Sequence, residues 1–174
     1  MPLEDIKVLD LSHALAGPFC STLLADYGAQ VIKIEPPGPG DIARAWGTPI
    51  DGKESDYFVS LHRNKQGMVL DLKNPEGKAT FLRMVEHCDV VLENYRPGAL
   101  ARLGLDSATA SKRNPGIIYC SISGFGLDGP YRDRAALDLI VQAESGMISC
   151  TGEAGGRGAR AGTSIADLTA SMMP

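Results

Sequence analysis

The 174-residue sequence predicts an α/β fold in which helices flank a parallel sheet. Three observations lead to this prediction. Short apolar runs typical of buried strands alternate along the chain with segments of helical periodicity. Proline opens several of the helical segments, at a position where its missing N–H has no consequence. The first strand–helix–strand unit is complete within about 30 residues, which predicts a right-handed crossover between parallel strands.

The first half of the chain supplies three predicted strands. Ile6–Leu11 and Val31–Glu35 are separated by a helix that begins at Gly17-Pro18 and ends at Gly28. The inward positions of this helix are expected to be Phe19, Leu23, Leu24 and Tyr27. The proline- and glycine-rich segment 36–40 begins an irregular excursion to about residue 66, with a short helix near Ala43. Met68–Leu72 is the third strand.

The second half continues the alternation. Asn74-Pro75 caps and starts a helix that turns Phe81, Leu82 and Val85 inward. The later elements are a strand at 89–93, short helices at 97–103 and 108–112, a strand at 116–122, a loop at 124–130, a helix at 135–148, a glycine-rich loop at 153–162 and a helix from Ile165. Five strands with helices between them indicate a doubly wound, Rossmann-like layer.

Composition and charge exclude several classes of protein. Hydrophobic residues make up 44% of the chain, which suits a globular fold and is too high for disorder. The net charge is −4 without a long basic run, so a nucleic-acid partner is not expected. The sequence has no signal-peptide pattern and no unbroken apolar run of about 18 residues, so a membrane association is not expected either. The cysteines form no CxxC pair or Cys/His cluster, which predicts no metal site and reduced, half-buried thiols of a cytoplasmic protein at Cys20, Cys88, Cys120 and Cys150.

Ligands of an open parallel sheet bind beyond the carboxyl ends of the strands. This rule selects the loops 12–18, 35–40, 72–74, 93–97 and 123–130. In Ser12–Pro18, backbone N–H groups at a helix N-terminus would suit a phosphate or carbonyl oxygen, but the loop is not GxGxxG and the local pattern favours a plain turn. His13 is either a base or, as is commoner for a lone histidine in a turn, a hydrogen-bonding residue.

Two acids have apolar sequence neighbours. Asp167 follows the glycine-rich loop and is either a functional carboxylate or an acid that interacts with a helix macrodipole. Asp138 either caps a buried network or assists catalysis. Cations near the strand ends are solvated surface charges when taken singly and candidate phosphate contacts when taken as a set: Arg44, Arg63, Lys65, Lys73 and Arg102.

Several motifs in the same order give the sequence a specific resemblance to the class III coenzyme A transferases. That family includes formyl-CoA transferase, carnitine-CoA transferase and α-methylacyl-CoA racemase. The resemblance extends over nearly the whole chain and rests on the segments 8–12, 16–18, 24–35, 40–41, 64–65, 70–73, 91–98, 119–126, 138–143 and 165–169.

The resemblance implies a chemistry and a set of contacts. In the family an aspartate, matched by Asp167, attacks the acyl-CoA carbonyl and forms a mixed anhydride and then an aspartyl-CoA thioester. Asp138 matches an acid that orients the reacting groups. CoA is then a substrate, together with an acyl donor and a small carboxylic acid, and no permanently bound cofactor is expected. The implied CoA contacts are Ala14, Leu15, Ala16, Leu70, Lys73, Asn94, Tyr95, Arg102 and Leu103, of which Lys73 and Arg102 keep a cation for phosphate.

Departures from the family pattern narrow the expected reaction. Formate-specific members have glutamine, arginine and tyrosine where this chain has Leu15, Pro36 and Leu137, so a larger or more apolar acyl group is expected. The racemase branch has a histidine at the position of Leu137, and two-base proton exchange loses a partner without it. A transferase is therefore favoured, with a racemase or epimerase and a catalytically inactive CoA-binding fragment as alternatives.

The resemblance also bears on domain organisation. Family members run to roughly 400 residues, more than twice a typical single domain. Residues 1–174 would then be the N-terminal part of a large Rossmann-like domain, without the small domain and the C-terminal return segment. The sequence ends at Met172-Met173-Pro174 inside a predicted helix without a stop signal, so we expect a truncated chain. The full-length protein is expected to be an interlocked homodimer.

Overall fold

The chain forms a parallel sheet with helices on both faces. A computed structural model describes residues 1–50, 52 and 54–173. The strands are β1 (Lys7–Asp10), β2 (Gln30–Glu35), β3 (Pro49–Ile50), β4 (Glu54–Ser55), β5 (Lys65–Val69), β6 (Val90–Glu93) and β7 (Ile118–Ser121). The helices are α1 (Ala16–Asp26), α2 (Asp56–Ser60), α3 (Pro75–Val85), α4 (Ala99–Leu103), α5 (Ser107–Arg113), α6 (Asp138–Glu144), α7 (Met147–Cys150) and α8 (Ile165–Met172), with a 3-10 helix at Ile42–Ala45.

The order of the strands confirms the doubly wound prediction. Within the described residues the main sheet has five parallel strands in the order β5-β2-β1-β6-β7, and β3 and β4 form a separate antiparallel pair. Val8 of β1 lies opposite Val31 of β2 on one side and Val90 of β6 on the other. The chain moves outward from β1 to β5 and then crosses back to β6. The switch point, where ligands bind in such sheets, therefore lies between β1 and β6.

Alternation along the central strands divides the core between the two faces of the sheet. Leu9 and Ile34 point into a cluster with Phe81 and Val85 of α3, and the last two side chains are fully buried. Val8 and Val31 point into a smaller cluster on the opposite face, beneath the end of α1. This period-2 division is the expected pattern for strands covered by helices on both faces.

The buried face of α1 differs from the predicted one. Small and polar residues are buried along this helix, whereas Tyr27 is 59% exposed and Leu23 is half-buried. Helix α8 packs on α1, and small side chains let two helices approach closely. Ser21 and Thr22 are buried because their hydroxyl groups donate to the carbonyl oxygen of Pro18 at 3.1 and 2.8 Å. Gly28 does end the helix as predicted, with φ of 105°.

Two further boundaries correct the sequence prediction. The third strand of the sheet is Lys65–Val69, earlier than predicted, because Leu70 and Leu72 pack against the α3 core from the loop that follows it. The helix predicted over 135–148 is broken into α6 and α7 at Gly146, whose φ of 82° is left-handed. The excursion over 36–66 contains the predicted turn of helix, the β3–β4 pair and also α2.

The four cysteines differ in exposure. Cys20 and Cys88 are buried, Cys120 is half-buried and Cys150 is exposed, all as free thiols. The prediction of half-buried thiols is therefore confirmed for Cys120 alone, because Cys20 and Cys88 are buried and Cys150 is exposed at the end of the surface helix α7. In the part of the chain that the structure describes, every helix is too short or too polar to cross a bilayer.

We predict that Gly17→Ala lowers the free energy of unfolding by about 2 kcal/mol, because the added methyl group would overlap Cβ of Ser12. Gly67→Ala in β5 is the matched control, since a methyl group there would meet no atom within 4 Å. It should be neutral or stabilise by roughly 0.5 kcal/mol. Denaturant unfolding of the two variants measures the difference, and equal effects would contradict the close approach of α1 to the β1 loop.

Candidate active site at the switch point of the sheet

The loops that follow β1 and β6 are joined at the switch point by one side chain. Asn94 follows β6, and its Oδ1 accepts a hydrogen bond from the backbone N–H of His13 at 2.8 Å. Its Nδ2 donates to the carbonyl oxygen of His13, also at 2.8 Å. The two loops therefore have a fixed separation, and the His13 ring lies 5.1 Å from the ring of Tyr95.

A cavity of about 440 Å³ opens beside these loops. Its wall includes His13, Asn94 and Tyr95 from the switch point, Ala16 from the start of α1, and Asp167 from α8. The loop after β7 and the start of α6 complete the wall. The cavity thus brings Asp167 together with residues that lie far earlier in the sequence, at the site that the strand order selects.

Asp138 positions the helix that carries Asp167. Its Oδ1 accepts from the backbone N–H of Ala166 at 2.8 Å and, more weakly, from that of Asp167 at 3.4 Å, so it caps the first turn of α8. Its Oδ2 accepts from Nε2 of the buried Gln142, whose Oε1 accepts from the backbone N–H of Ala161 at 2.9 Å. The geometry therefore favours the network-capping interpretation of Asp138.

The other contact that locates α8 is made by Ser171. Its hydroxyl group is buried and donates to the carbonyl oxygen of Ala16 at 2.6 Å. Asp138 thus attaches the first turn of α8 to α6, and Ser171 attaches the last turn to the start of α1. Asp167 lies between these two attachments, so its backbone position is set from both ends of the helix.

The surroundings of Asp167 disfavour the ionised form of its carboxyl group. Burial raises the pKa of Asp167 above its usual value, and the neighbouring charge of Asp138 raises it further. Within the residues that the structure describes, no N–H or O–H group donates to this carboxylate. A carboxylate of raised pKa that faces a cavity is suited to act as a nucleophile or a base.

Arginine side chains supply the positive charge of the cavity wall. Arg96, Arg132 and Arg134 line it, whereas Asp167 is its acidic member among the described residues. Arg134 is oriented by an ion pair with Glu144 at 2.8 Å and by the ring of Tyr131, whose centroid lies 4.7 Å from its guanidinium carbon. The cavity is therefore suited to an anionic ligand.

The first three backbone N–H groups of the β1 loop have acceptors within the protein. The N–H of Ser12 donates to Oδ1 of Asp10 at 2.9 Å, that of His13 to Asn94, and that of Ala14 to Oδ1 of Asp41 at 3.0 Å. These three groups are therefore not free for a phosphate or carbonyl oxygen, in agreement with the plain-turn interpretation of this part of the loop. The N–H groups of residues 15–17 at the start of α1 have no acceptor within the described chain.

Ala14 has a strained backbone. Its φ is 66°, in the left-handed region, and it has no polar side chain to compensate. This conformation costs an alanine on the order of 1 kcal/mol, so the surrounding structure must maintain it. One contact of this strained residue with its surroundings is the hydrogen bond from the Ala14 N–H to Oδ1 of Asp41.

A buried charge network lies beneath this loop. It consists of Asp10, Lys33, Glu35, Asp41, Arg44 and Lys65. Burial alone would raise the pKa of Asp10, but the charges of Lys33 and Lys65 and the hydroxyl groups of Ser12 and Ser21 outweigh it and lower the pKa to about 2. Burial lowers the pKa of Lys65 to about 8, in spite of the attraction of Asp10.

Three of the five candidate phosphate contacts are paired with carboxylates instead. Lys65 is buried against Asp10, so it is not a solvated surface charge either. Arg44 forms two 2.7 Å hydrogen bonds with Glu35, and Arg63 pairs with Asp26. Arg102 and Lys73 are exposed and form no ion pair with any described residue.

Arg102 lies at a second cavity of about 450 Å³. This cavity shares His13, Tyr95 and Arg96 with the cavity of Asp167, so the two adjoin along the switch point. A single elongated ligand could therefore extend from Arg102 to Asp167. The structure brings Ala16, Asn94, Tyr95 and Arg102 to these cavities, while the other predicted CoA contacts line neither among the described residues: Ala14, Leu15, Leu70, Lys73 and Leu103.

Sequence reasoning missed the side chains that support the site. Lys33 stood out only as part of an apolar strand, although a lysine between two isoleucines in a central strand is itself a signal of a buried charge. Asp41 and Gln142 appeared only inside longer motifs. No group of three or more His, Cys, Asp or Glu side chains in the described residues is arranged to bind a metal.

Comparison with known proteins identifies the family that this chain matches. A family model described as CoA-transferase family III matches residues 3–174. Human succinyl-CoA:glutarate CoA-transferase is 43% identical over 171 residues, which are 98% of this chain and 39% of that protein. Acetyl-CoA:oxalate CoA-transferase of Acetobacter aceti is 48% identical over 168 residues, which are 96% of this chain and 43% of that protein.

Solved structures agree with this result. A CAIB/BAIF family protein from Brucella suis matches with a TM-score of 0.94 and 38% identity, over 99% of this chain and 47% of that one. A hypothetical protein from Mycobacterium tuberculosis matches with a TM-score of 0.89 and 35% identity, over 99% of this chain and 47% of that one. The chain therefore spans less than half the length of the relatives that it matches.

We predict that Asp167→Asn raises the melting temperature at neutral pH. The pKa of Asp167 is raised in the folded state, so stability begins to fall as the pH rises above the usual pKa of an aspartate, and the loss is complete above the raised pKa. Below the usual pKa of an aspartate both states are protonated, and the difference should vanish. Thermal unfolding of both proteins between about pH 3 and pH 8 measures this crossover.

Asp106→Asn is the control for this prediction. Hydrogen bonds from Thr109 lower the pKa of Asp106, which caps α5, so its ionised form contributes stability at neutral pH. Its replacement should lower the melting temperature. A loss of stability in Asp167→Asn as well would identify Asp167 as a helix-stabilising acid of the macrodipole type.

Proposed function

The chain belongs to CoA-transferase family III, and we propose that the complete protein transfers CoA between carboxylic acids with Asp167 as the nucleophile. The observation that carries this proposal is the carboxylate of Asp167, which faces the switch-point cavity with a raised pKa and no protein donor among the described residues. The names of the human and Acetobacter aceti relatives support it, since both are CoA-transferases.

The proposed reaction has four steps. The Asp167 carboxylate attacks the acyl-CoA carbonyl, the C–S bond breaks, and the CoA thiolate leaves a mixed anhydride on the enzyme. The thiolate attacks the aspartyl carbonyl, which releases the first carboxylate and forms an aspartyl-CoA thioester. The acceptor carboxylate attacks the carbonyl carbon of this thioester, the C–S bond breaks, and the CoA thiolate leaves a second mixed anhydride on the enzyme. The thiolate then attacks the new acyl carbonyl and regenerates Asp167.

Features of the chain support these steps. A raised pKa makes the Asp167 carboxylate a better nucleophile than a solvated one. Asp138 and Ser171 position α8, so Asp138 acts on Asp167 through the helix and through its charge. Apolar side chains of Ala166, Ala170 and Leu137 line the same cavity beside Asp167.

We place CoA along the two adjoining cavities. The thioester would lie beside Asp167, and the nucleotide would extend past Tyr95 towards Arg102. Arg102 is exposed and unpaired within the described residues, which suits a contact with the 3′-phosphate. Lys73 is also exposed but lies outside both cavities, and Ala14, Leu15, Leu70 and Leu103 would contact CoA only at the margins of this path.

The acyl groups are proposed to belong to carboxylic acids larger than formate. Relatives are named for succinate, glutarate and oxalate, which are dicarboxylates. Arg96 lines the Asp167 cavity and forms no ion pair with a described residue, so it could bind a second carboxylate group, whereas Arg132 and Arg134 are paired with Asp133 and Glu144. Leu137 is 76% exposed and lines that cavity, which supports transfer over racemisation because the side chain cannot exchange a proton.

We also propose that these residues are the N-terminal part of a larger domain of an interlocked homodimer. Leu139 and Ile140 on α6 are 48% and 40% exposed, and Met172 on α8 is 58% exposed. Apolar side chains grouped on neighbouring helices are usually covered in a complete assembly. The cover would come from the remainder of the protein or from its second copy.

In the complete protein, Asp167→Asn should lower the rate of CoA transfer by roughly three or more orders of magnitude, because a covalent nucleophile is lost. CoA binding should remain near the wild-type level, since the amide occupies the same volume. Steady-state kinetics with succinyl-CoA as donor and calorimetry with CoA separate the two effects. A transfer rate within about tenfold of wild type would contradict the assignment.

Arg102→Ala should weaken the binding of CoA more than that of 3′-dephospho-CoA, because the lost contact is with the 3′-phosphate. Arg113→Ala, on the exposed end of α5 and paired with Glu86, is the control and should change neither affinity. Calorimetric titration of both ligands gives the two dissociation constants. Equal losses for both ligands in Arg102→Ala would remove Arg102 from the phosphate site.

A further inference from the structure

The main chain of Ser12–Ala14 is held by side chains from several elements. Asp10 and Asn94 accept from the N–H groups of Ser12 and His13, Lys33 donates to the carbonyl oxygen of Ser12, and Asp41 accepts from the N–H of Ala14. Asn94 follows β6, Lys33 lies on β2, and Asp41 follows β2. The path of this loop is therefore set from outside the loop.

Asp41 is the member of this set that acts on the strained residue. Its Oδ1 accepts from the N–H groups of both Ala14 and Ala43, at 3.0 Å each. Its Oδ2 lies 3.0 Å from Nζ of Lys33, and both side chains are nearly inaccessible to solvent. The backbone N–H of Asp41 donates to Oε2 of Glu35 at 2.8 Å. The Asp41 carboxylate that accepts from Ala14 is thus held through its side chain by Lys33 and through its backbone by Glu35.

The left-handed turn at Ala14 sets the direction of the next residues. It leads the chain into α1, where the N–H groups of residues 15–17 lack acceptors in the described chain. Ala16 lines the cavity of Asp167, while Ser12 and Asp41 line the adjoining cavity of Arg102. If the turn at Ala14 relaxed, Ser12 and Ala16 would move. The shapes of both cavities in which CoA is proposed to bind would then change.

We propose that Asp41 is a positioning residue for CoA binding, which acts by maintaining the left-handed conformation of Ala14. The proposal rests on the function proposed above, because it takes CoA as the ligand of the two cavities. Asp41 does not need to touch CoA for this role. Its effect is transmitted by one hydrogen bond to one backbone N–H.

The alternative is that Asp41 only stabilises the buried charge network. Both roles predict a loss of stability when Asp41 is replaced, so stability alone does not distinguish them. A glycine at position 14 does distinguish them, because glycine adopts the left-handed conformation without strain. If Asp41 acts through the turn, Ala14→Gly should compensate for its loss.

The test is a double-mutant cycle with Asp41→Asn and Ala14→Gly in the complete protein. In Asp41→Asn the amide oxygen is expected to turn towards the Lys33 ammonium, since hydrogen bonds to charged groups are the stronger ones. The amide NH2 then faces the N–H of Ala14, and the turn loses its acceptor. We expect the dissociation constant of CoA to rise roughly tenfold, and to return to within about threefold of wild type in the double variant.

Arg44→Gln is the matched control, since it removes a charge from the same network, lines neither cavity, and has no side-chain hydrogen bond with Asp41 or with Ser12–Ala14. The fold-change that this control causes in the CoA dissociation constant should be the same whether residue 14 is alanine or glycine. Hydrogen exchange of the Ala14 amide without ligand should accelerate in Asp41→Asn and not in Arg44→Gln. If Asp41→Asn does not fold, Asp41→Glu keeps the charge opposite Lys33, moves the acceptor and takes its place in the cycle.

The outcomes separate this proposal from the function on which it rests. No compensation by Ala14→Gly, or an unchanged CoA dissociation constant in Asp41→Asn, would overturn the positioning role while leaving the transferase proposal intact. Failure of the wild-type complete protein to bind CoA would overturn both. Faster Ala14 exchange without any change in CoA affinity would overturn the positioning role too, because the turn would relax without controlling binding.

Discussion

The hydrogen bonds that hold Ser12–Ala14 at the switch point are the interactions on which the rest of the site depends. The strand order leaves a gap between the loops after β1 and β6, and Asn94 closes it by bonding both backbone polar groups of His13. Asp41 and Lys33 then determine where the chain enters α1. Helix α8 is placed on that start through Ser171, so the position of Asp167 depends on the β1 loop.

Asp10 and Asp167 have opposite surroundings. Asp10 is surrounded by ammonium and hydroxyl donors, which lower its pKa to about 2 in spite of burial and make it a structural anion. Asp167 is partly buried beside another acid and lacks protein donors among the described residues, so its pKa is raised. Such a carboxylate weakens the fold and is more reactive, a combination that is characteristic of functional sites.

Much of this arrangement could be predicted from the sequence, and the exceptions have physical causes. Periodicity identified the α/β class and the strands that flank the switch point, and the apolar surroundings of Asp167 marked it as a candidate. The edge strand β5 lies earlier than predicted because Leu70 and Leu72 have the pattern of a strand but pack from a loop. The role of Lys65 was misjudged because pairing with Asp10 depends on contacts across the sheet, which no local pattern contains.

The assignment of Asp167 as a covalent nucleophile is tested most directly by intact-mass spectrometry of the complete protein after incubation with succinyl-CoA, followed by peptide mapping. We expect a covalent CoA adduct on the peptide that contains Asp167, formed by loss of the acyl group as free acid, and absent from Asp167→Ala. An adduct confined to another residue, or persistence of the adduct in Asp167→Ala, would contradict the assignment of the nucleophile. Turnover of the thioester without any covalent intermediate would contradict the mechanism itself.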